Sequence, residues 1–188
     1  MKVNLEIDGQ QIEAQPGSTV FEAARTNDID IPGLCNYEKI KPYGVCRLCV
    51  VEVKKGHRLR TVASCAYPVE EGISVQTRSE RIDRIRKKLL EFVLEQVPHV
   101  PEIVELARSY GVQPQAQGEP RNYCILCGKC VNYCAEVKGK HLVGFKGRGR
   151  GREVVFPEVD LVPPKECMEC GECYQLCPTG VFPVVGGI

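Results

Sequence analysis

Cys124-Ile125-Leu126-Cys127-Gly128-Lys129-Cys130-Val131-Asn132-Tyr133-Cys134 returns as Cys167-Met168-Glu169-Cys170-Gly171-Glu172-Cys173-Tyr174-Gln175-Leu176-Cys177, this time followed by Pro178. Each run has the C-x2-C-x2-C-x3-C spacing of bacterial ferredoxins, which hold cubane [4Fe–4S] clusters. The two-residue spacers wrap three thiolates round one cube, and the fourth cysteine turns to the other. The expected ligand sets are therefore Cys124, Cys127 and Cys130 with Cys177, and Cys134 with Cys167, Cys170 and Cys173. Such an exchange holds two clusters close together, which suits electron relay. Ala135 replaces the proline expected after the first run, but proline is not a ligand. Zinc ribbons also use C-x-x-C, usually as two separated pairs. Two complete runs of four favour clusters.

Working outward, the chain holds 12 cysteines in 188 residues. Eight are in the two runs, and the other four are Cys35, Cys46, Cys49 and Cys65. The division into four, four and four leaves no thiol over. The first group reads C-x10-C-x2-C-x15-C. Its close pair and distant fourth cysteine match the plant-type [2Fe–2S] pattern, although the first spacer is longer than the usual four residues. Gly44, just before the pair, lets backbone approach the sulfurs, where amide donors tune a potential. The N-terminus shows no apolar signal segment and no apolar run approaches the ~18 residues of a membrane span. A reducing, cytoplasmic setting is expected, and with it metal-ligating thiols rather than disulfides. With 25 basic and 24 acidic residues, the net charge of +1 gives no case for nucleic acid or an anionic membrane as a partner.

The predicted architecture is α+β, in three parts. Residues 1–78 read as a [2Fe–2S] β-grasp ferredoxin domain. Val3, Leu5 and Ile7 alternate as a strand, Asp8-Gly9 is a hairpin turn, and Gln11 to Gln15 returns. Thr19 and Glu22 make a capping box for a short helix with Val20, Ala23 and Ala24 inward. Further strands are expected at Val50–Val53 and Ile73–Thr77. Residues 79–121 read as a helical connector. Thr77 and Glu80 are a second capping-box candidate, Ile82, Ile85, Leu89, Phe92 and Val93 give the inward stripe, and Arg78, Arg81, Arg84, Arg86, Lys87 and Lys88 a solvated face. Pro98 ends this helix, Pro101 starts a shorter one, and Gln113 to Arg121 is a polar linker. Residues 122–188 read as a two-[4Fe–4S] ferredoxin domain. Between its runs, Lys138 to Arg152 carries six basic residues and no acidic one. Its Gly147-Arg148-Gly149-Arg150-Gly151-Arg152 stretch is expected to be a surface turn or a docking site. It lacks a dinucleotide fingerprint's spacing. His57 and His141 are expected at the surface.

Gly44-Val45-Cys46-Arg47-Leu48-Cys49-Val50-Val51-Glu52-Val53 and Ala63-Ser64-Cys65-Ala66-Tyr67-Pro68-Val69-Glu70-Glu71-Gly72 resemble the N-terminal module of the large iron–sulfur subunit of respiratory complex I. They also resemble the small diaphorase subunit of NAD-reducing hydrogenases and the N-terminal part of iron-only hydrogenases. The long x10 spacer is typical of this family. The resemblance extends through Leu106–Val112 and Cys124–Cys130 and covers essentially the whole chain. It implies one [2Fe–2S] cluster on Cys35, Cys46, Cys49 and Cys65 beside the two [4Fe–4S] clusters. The family usually carries a further [4Fe–4S] cluster on one His and three Cys. Here His99 stands near the place, but no cysteine lies between Cys65 and Cys124. That cluster is read as lost, with Ile103, Val104 and Leu106 packing instead.

The expected function is electron transfer by an iron–sulfur subunit. Clusters move single electrons and nicotinamide moves two, so a flavin must stand between them. The chain has no credible flavin or nucleotide site and no independent catalytic site. The resemblance implies a flavin-containing NAD(P)H-binding subunit on one side and a catalytic oxidoreductase subunit on the other, of hydrogenase, formate dehydrogenase or tungsten-enzyme type. The product is a hetero-oligomer without membrane insertion. The alternative is the iron–sulfur subunit of a complex like fumarate reductase or succinate dehydrogenase, whose first spacer is x4. An iron-only hydrogenase is not expected, because the chain stops at Ile188 without the large catalytic domain.

Overall fold

A tight hairpin sets the frame. In the computed structural model, which describes residues 2–114, 123–156 and 164–181, β1 (Val3–Ile7) and β2 (Gln10–Ala14) pair antiparallel across Asp8-Gly9. Both turn residues have positive φ, the conformation that makes Asp-Gly a hairpin signal. Leu5, Ile7, Ile12 and Ala14 point to one buried face. Thr19 caps α1 (Val20–Thr26) in a complete capping box: its hydroxyl accepts from the Glu22 amide at 3.2 Å, and the Glu22 carboxylate accepts from the Thr19 amide at 2.7 Å. Val20, Ala23 and Ala24 enter the core, as their spacing requires. β3 (Val50–Lys55), β4 (Arg58–Ala63) and β5 (Ser74–Gln76) complete a sheet of order β2-β1-β5-β3-β4. The central pair β1 and β5 is parallel and the rest are antiparallel. This is the β-grasp. β4 is an addition to the sequence reading. Arg58, Leu59 and Arg60 are exposed on the sheet edge, so no apolar alternation announces the strand, and edge charges deter pairing with another chain.

α2 (Glu80–Gln96) and α3 (Pro101–Ser109) follow. Ser79, not Thr77, caps α2, accepting from the Ile82 amide at 3.2 Å. Thr77 is otherwise engaged, donating its hydroxyl to Asp8 at 2.5 Å and so tying the end of β5 to the first hairpin. The buried stripe of α2 is Ile82, Arg86, Leu90 and Leu94. It is rotated from the predicted stripe, so Leu89 and Val93 are half-buried and Phe92 is 59% exposed. Arg86, expected on the solvated face, is 0% exposed. The helices enclose a second apolar core with Leu48, which reaches in from the first cysteine loop, and with Ile103, Ala107 and Val112. Val104 and Leu106 pack on it. Most of the predicted linker from Gln113 to Arg121 lies outside the described residues.

The C-terminal part is short in regular structure. α4 (Lys129–Asn132) continues into a wider π-type turn over Tyr133–Val137. β6 (Gly144–Lys146) and β7 (Glu153–Val155) form a hairpin, and α5 (Lys165–Cys170) carries the second run. The Gly147–Arg152 stretch is the hairpin turn. A Cβ on Gly147 would lie 2.1 Å from the Gly151 carbonyl oxygen, which bars any side chain there. Arg148 and Arg150 are exposed on this turn, and Arg152 lies over the Phe145 ring at 4.0 Å. The buried centre is small: Val143 and Phe156 with Cys130, Cys134 and Cys167.

Candidate metal centres

The first four cysteines come together from the loop between α1 and β3 and the turn after β4. Cys35, Cys49 and Cys65 are buried and Cys46 is half-buried. Cys35 donates its thiol proton to Cys46, which brings Cys46 down to about 5 and pushes Cys35 up. The Leu34 and Leu48 amides also stabilise the Cys46 thiolate. Cys65 donates to Cys49 in the same way, lowering Cys49 to about 7 and raising Cys65. The four side chains thus share one site, whose thiols would give up their protons on binding a metal group. Local backbone makes this possible. Gly44 has φ +62, and a Cβ there would sit 3.6 Å from Ala63 Cβ and 3.9 Å from Cys65 Sγ. Buried Ser64 fixes the neighbouring strand end, its hydroxyl donating to the Cys49 carbonyl at 2.7 Å.

The other eight cysteines line two hollows. Cys124, Cys127, Cys130 and Cys177 line one hollow of ≈ 300 Å³, with Ile125, Val154 and Val181 among its walls. Cys134, Cys167, Cys170 and Cys173 line another of ≈ 330 Å³, beside Lys138, Lys140 and Leu142. Burial pushes Cys127 up to about 11 and Cys173 up to about 12, and raises Cys130. Backbone amides face sulfur in both hollows: Leu126 N–H donates to Cys124 Sγ at 3.4 Å, and Leu142 N–H to Cys134 Sγ at 3.2 Å. Among the described residues no three His, Cys, Asp or Glu side chains converge as one metal ion requires. The thiols ring a volume instead, and apolar walls with amide donors suit a sulfide-bridged cluster.

The sites are joined. Tyr43, in the long spacer of the first group, donates its hydroxyl to the Cys127 carbonyl. Its ring fills the space over Gly128, where a Cβ would come within 3.2 Å of Tyr43 Oη. Burial and then the Cys127 and Cys35 sulfurs hold the Tyr43 phenol well above its usual range, so Tyr43 feels both sites at once. Two more contacts bind the same spacer to the C-terminal part: Lys41 N–H donates to Glu136 at 2.8 Å, and Tyr37 packs against Tyr133 with ring centroids 6.0 Å apart. Tyr133 in turn donates to Glu172 at 2.6 Å, and Lys138 pairs with Glu172. Sequence reasoning missed Tyr43, since nothing in a ten-residue spacer marks one aromatic as a bridge. It also missed Arg86, although its place at i+4 from Ile82 and i−4 from Leu90 is a signal of burial. His99 is exposed and meets Tyr123 edge-on at 5.2 Å. His57 and His141 are exposed too.

Residues 1–80 match a family described as a 2Fe-2S iron-sulfur cluster binding domain, and residues 123–181 one described as a 4Fe-4S dicluster domain. The chain is 33% identical over 206 residues to the NADPH-Fe(3+) oxidoreductase subunit alpha of Geobacter sulfurreducens, covering 96% of this chain and 24% of that protein. It is 31% identical over 212 residues to the NADP-reducing hydrogenase subunit HndD of Solidesulfovibrio fructosivorans, covering 96% and 36%. It therefore spans between a quarter and about a third of these relatives' length. Among solved structures it resembles a chain of an NAD+-reducing [NiFe]-hydrogenase in the H2-reduced state, with TM-score 0.67 and 30% identity, over 82% of this chain and 75% of that one.

Proposed function

Because the chain belongs to the iron–sulfur family of the complex I large peripheral-arm subunit and the diaphorase subunit of NAD-reducing hydrogenases, we propose that it relays single electrons from an NAD(P)H-oxidising flavoprotein to a catalytic oxidoreductase subunit. The observation that carries this reading is the Tyr43 bridge. It sets the first cysteine site against the second, and the short stretch from Cys130 to Cys134 joins the second to the third. Three electron-carrying sites in a row make a wire.

In this reading Cys35, Cys46, Cys49 and Cys65 hold a [2Fe–2S] cluster. Cys124, Cys127, Cys130 and Cys177 hold one [4Fe–4S] cluster, and Cys134, Cys167, Cys170 and Cys173 hold the other. The segments 1–78, 79–121 and 122–188 are the corresponding units, the middle one without a cluster. The clusters supply one-electron chemistry; the chain's own residues position them, exclude water and donate amide hydrogens to sulfur. The partners are a flavin subunit and a catalytic subunit in a cytoplasmic hetero-oligomer. Among the described residues no helix is long and apolar enough to cross a membrane. The exposed arginines of the β6–β7 turn offer the flavoprotein or the catalytic subunit a basic docking surface.

The test is direct. Anaerobically purified chain, alone, takes electrons from dithionite and not from NADH or NADPH. Adding the flavoprotein partner makes NAD(P)H reduce its clusters, followed by bleaching in the visible spectrum. Rapid NADH oxidation by the isolated, flavin-free chain refutes the relay.

A further inference from the structure

Arg86 is the largest side chain without exposed surface among the described residues. It sits in the inward stripe of α2, where a sequence pattern of this kind normally carries a leucine. Its Nε donates to the Leu48 carbonyl at 2.9 Å, its Nη2 to the Val50 carbonyl at 2.9 Å and its Nη1 to the Tyr110 hydroxyl at 2.9 Å. All three acceptors are neutral. Among the described residues no carboxylate pairs with Arg86, whereas Arg78, which lies over the same Tyr110 ring at 4.8 Å, has Asp83 as its partner.

A guanidinium keeps its charge in any protein setting. Burying that charge without an anion is among the more unfavourable things a fold can do. Hydrogen bonds to neutral oxygens satisfy its donors but leave its charge. The geometry shows where a compensating anion belongs. Leu48 and Val50 flank Cys49, so the guanidinium is clamped to the backbone on both sides of one thiolate of the first site.

We propose that Arg86 is the buried counter-charge of the Cys35, Cys46, Cys49 and Cys65 site, and that its charge raises the reduction potential of the [2Fe–2S] cluster held there. The proposal rests on the reading that these four cysteines hold such a cluster. Four thiolates make that group anionic, and an added electron makes it more so. A fixed positive charge nearby therefore favours the reduced state, and low surrounding polarity strengthens the effect. Arg86 is a positioning and tuning residue; it carries no electron itself.

The experiment uses the intact, cluster-loaded chain and a redox titration followed by electron paramagnetic resonance. Arg86→Met is expected to lower the midpoint potential of the [2Fe–2S] signal and to leave the [4Fe–4S] potentials in place. Arg86→Lys, which keeps the charge, stays near wild type. Arg84→Met, which removes an exposed cation, shifts nothing. The Arg86→Met shift persists at high salt, because a buried charge is poorly screened. An unmoved potential in Arg86→Met with the cluster retained overturns the proposal. So does an Arg86→Lys shift as large as that of Arg86→Met, which would make the residue a clamp rather than a charge. If Arg86→Met does not fold, Tyr110→Glu supplies a carboxylate beside Nη1 and neutralises the arginine in place. A lowered potential is then expected, and an unchanged one refutes the idea. Absence of any [2Fe–2S] signal in the wild-type chain is a different result, and it refutes the ligand reading beneath the proposal.

Discussion

At the scale of single residues, the proposed exchange of the fourth cysteines makes opposite demands on two thiols that look alike. Cys177 lines the hollow of Cys124, Cys127 and Cys130, and Cys134 that of Cys167, Cys170 and Cys173. Cys177→Ser is expected to perturb the cluster of the earlier run, and Cys134→Ser that of the later run. Resonance spectra of the two variants distinguish these outcomes, and a disturbance confined to each cysteine's own run contradicts the assignment. His99→Ala is expected to leave the iron content unchanged, because the imidazole is exposed and meets Tyr123 edge-on. The cysteine runs were legible in the sequence because the spacing within each run is local and thiols are chemically distinctive. Tyr43 and Arg86 were not. Their partners lie 84 and 38 residues away, and only the fold brings them into reach.

At the scale of elements, α2 shows how a helix can be found and its face misjudged. Its amphipathic period is plain, yet the stripe that packs is Ile82, Arg86, Leu90 and Leu94. An arginine in the core hides that register from a count of apolar residues. The two registers make contrary predictions. Leu90→Ala removes a fully buried side chain and is expected to cost about 2–5 kcal/mol. Phe92→Ser changes an exposed one and is expected to stay within about 0.5 kcal/mol. Anaerobic thermal melts of the loaded protein rank the two, and a larger loss for Phe92→Ser restores the sequence-based face. Ser79→Ala removes the N-cap and is expected to cost about 1 kcal/mol. The capping box at Thr19 was readable because both halves lie within one turn. At Thr77 the same motif failed, because Asp8 of the first hairpin takes the hydroxyl.

At the scale of the whole molecule, two parts have apolar cores and the third is centred on its cysteines. Leu5, Ile7, Val51 and Val75 are among those that fill the β-grasp, and Leu90, Leu94 and Ile103 the helical part. The C-terminal core sets only Val143 and Phe156 beside three buried cysteines. Small units of this kind draw folding energy from their metal. The loaded chain is expected to contain about ten iron and about ten sulfide atoms, from one [2Fe–2S] and two [4Fe–4S] clusters. Stoichiometric zinc, or an iron count near fourteen, rules this out. After chelation, hydrogen exchange is expected to lose protection first across 123–181 while β1 amides remain slow. Uniform loss across the chain contradicts that ranking. The division into a sheet domain and a cysteine-rich domain was visible in composition. The seam between them was not, since it depends on contacts from the spacer residues Tyr37, Lys41 and Tyr43 to partners more than eighty residues away.

The hollow shared by Cys177 with Cys124, Cys127 and Cys130 also orders events during synthesis. With the ligand sets proposed above, a chain emerging from the ribosome completes its first thiol set at Cys65 and its third at Cys173. The set between them, which Tyr43 touches, waits for Cys177. In the proposed relay the middle of the row is thus finished last, and a polypeptide cut short before Cys177 is expected to hold its two outer clusters without the one between them.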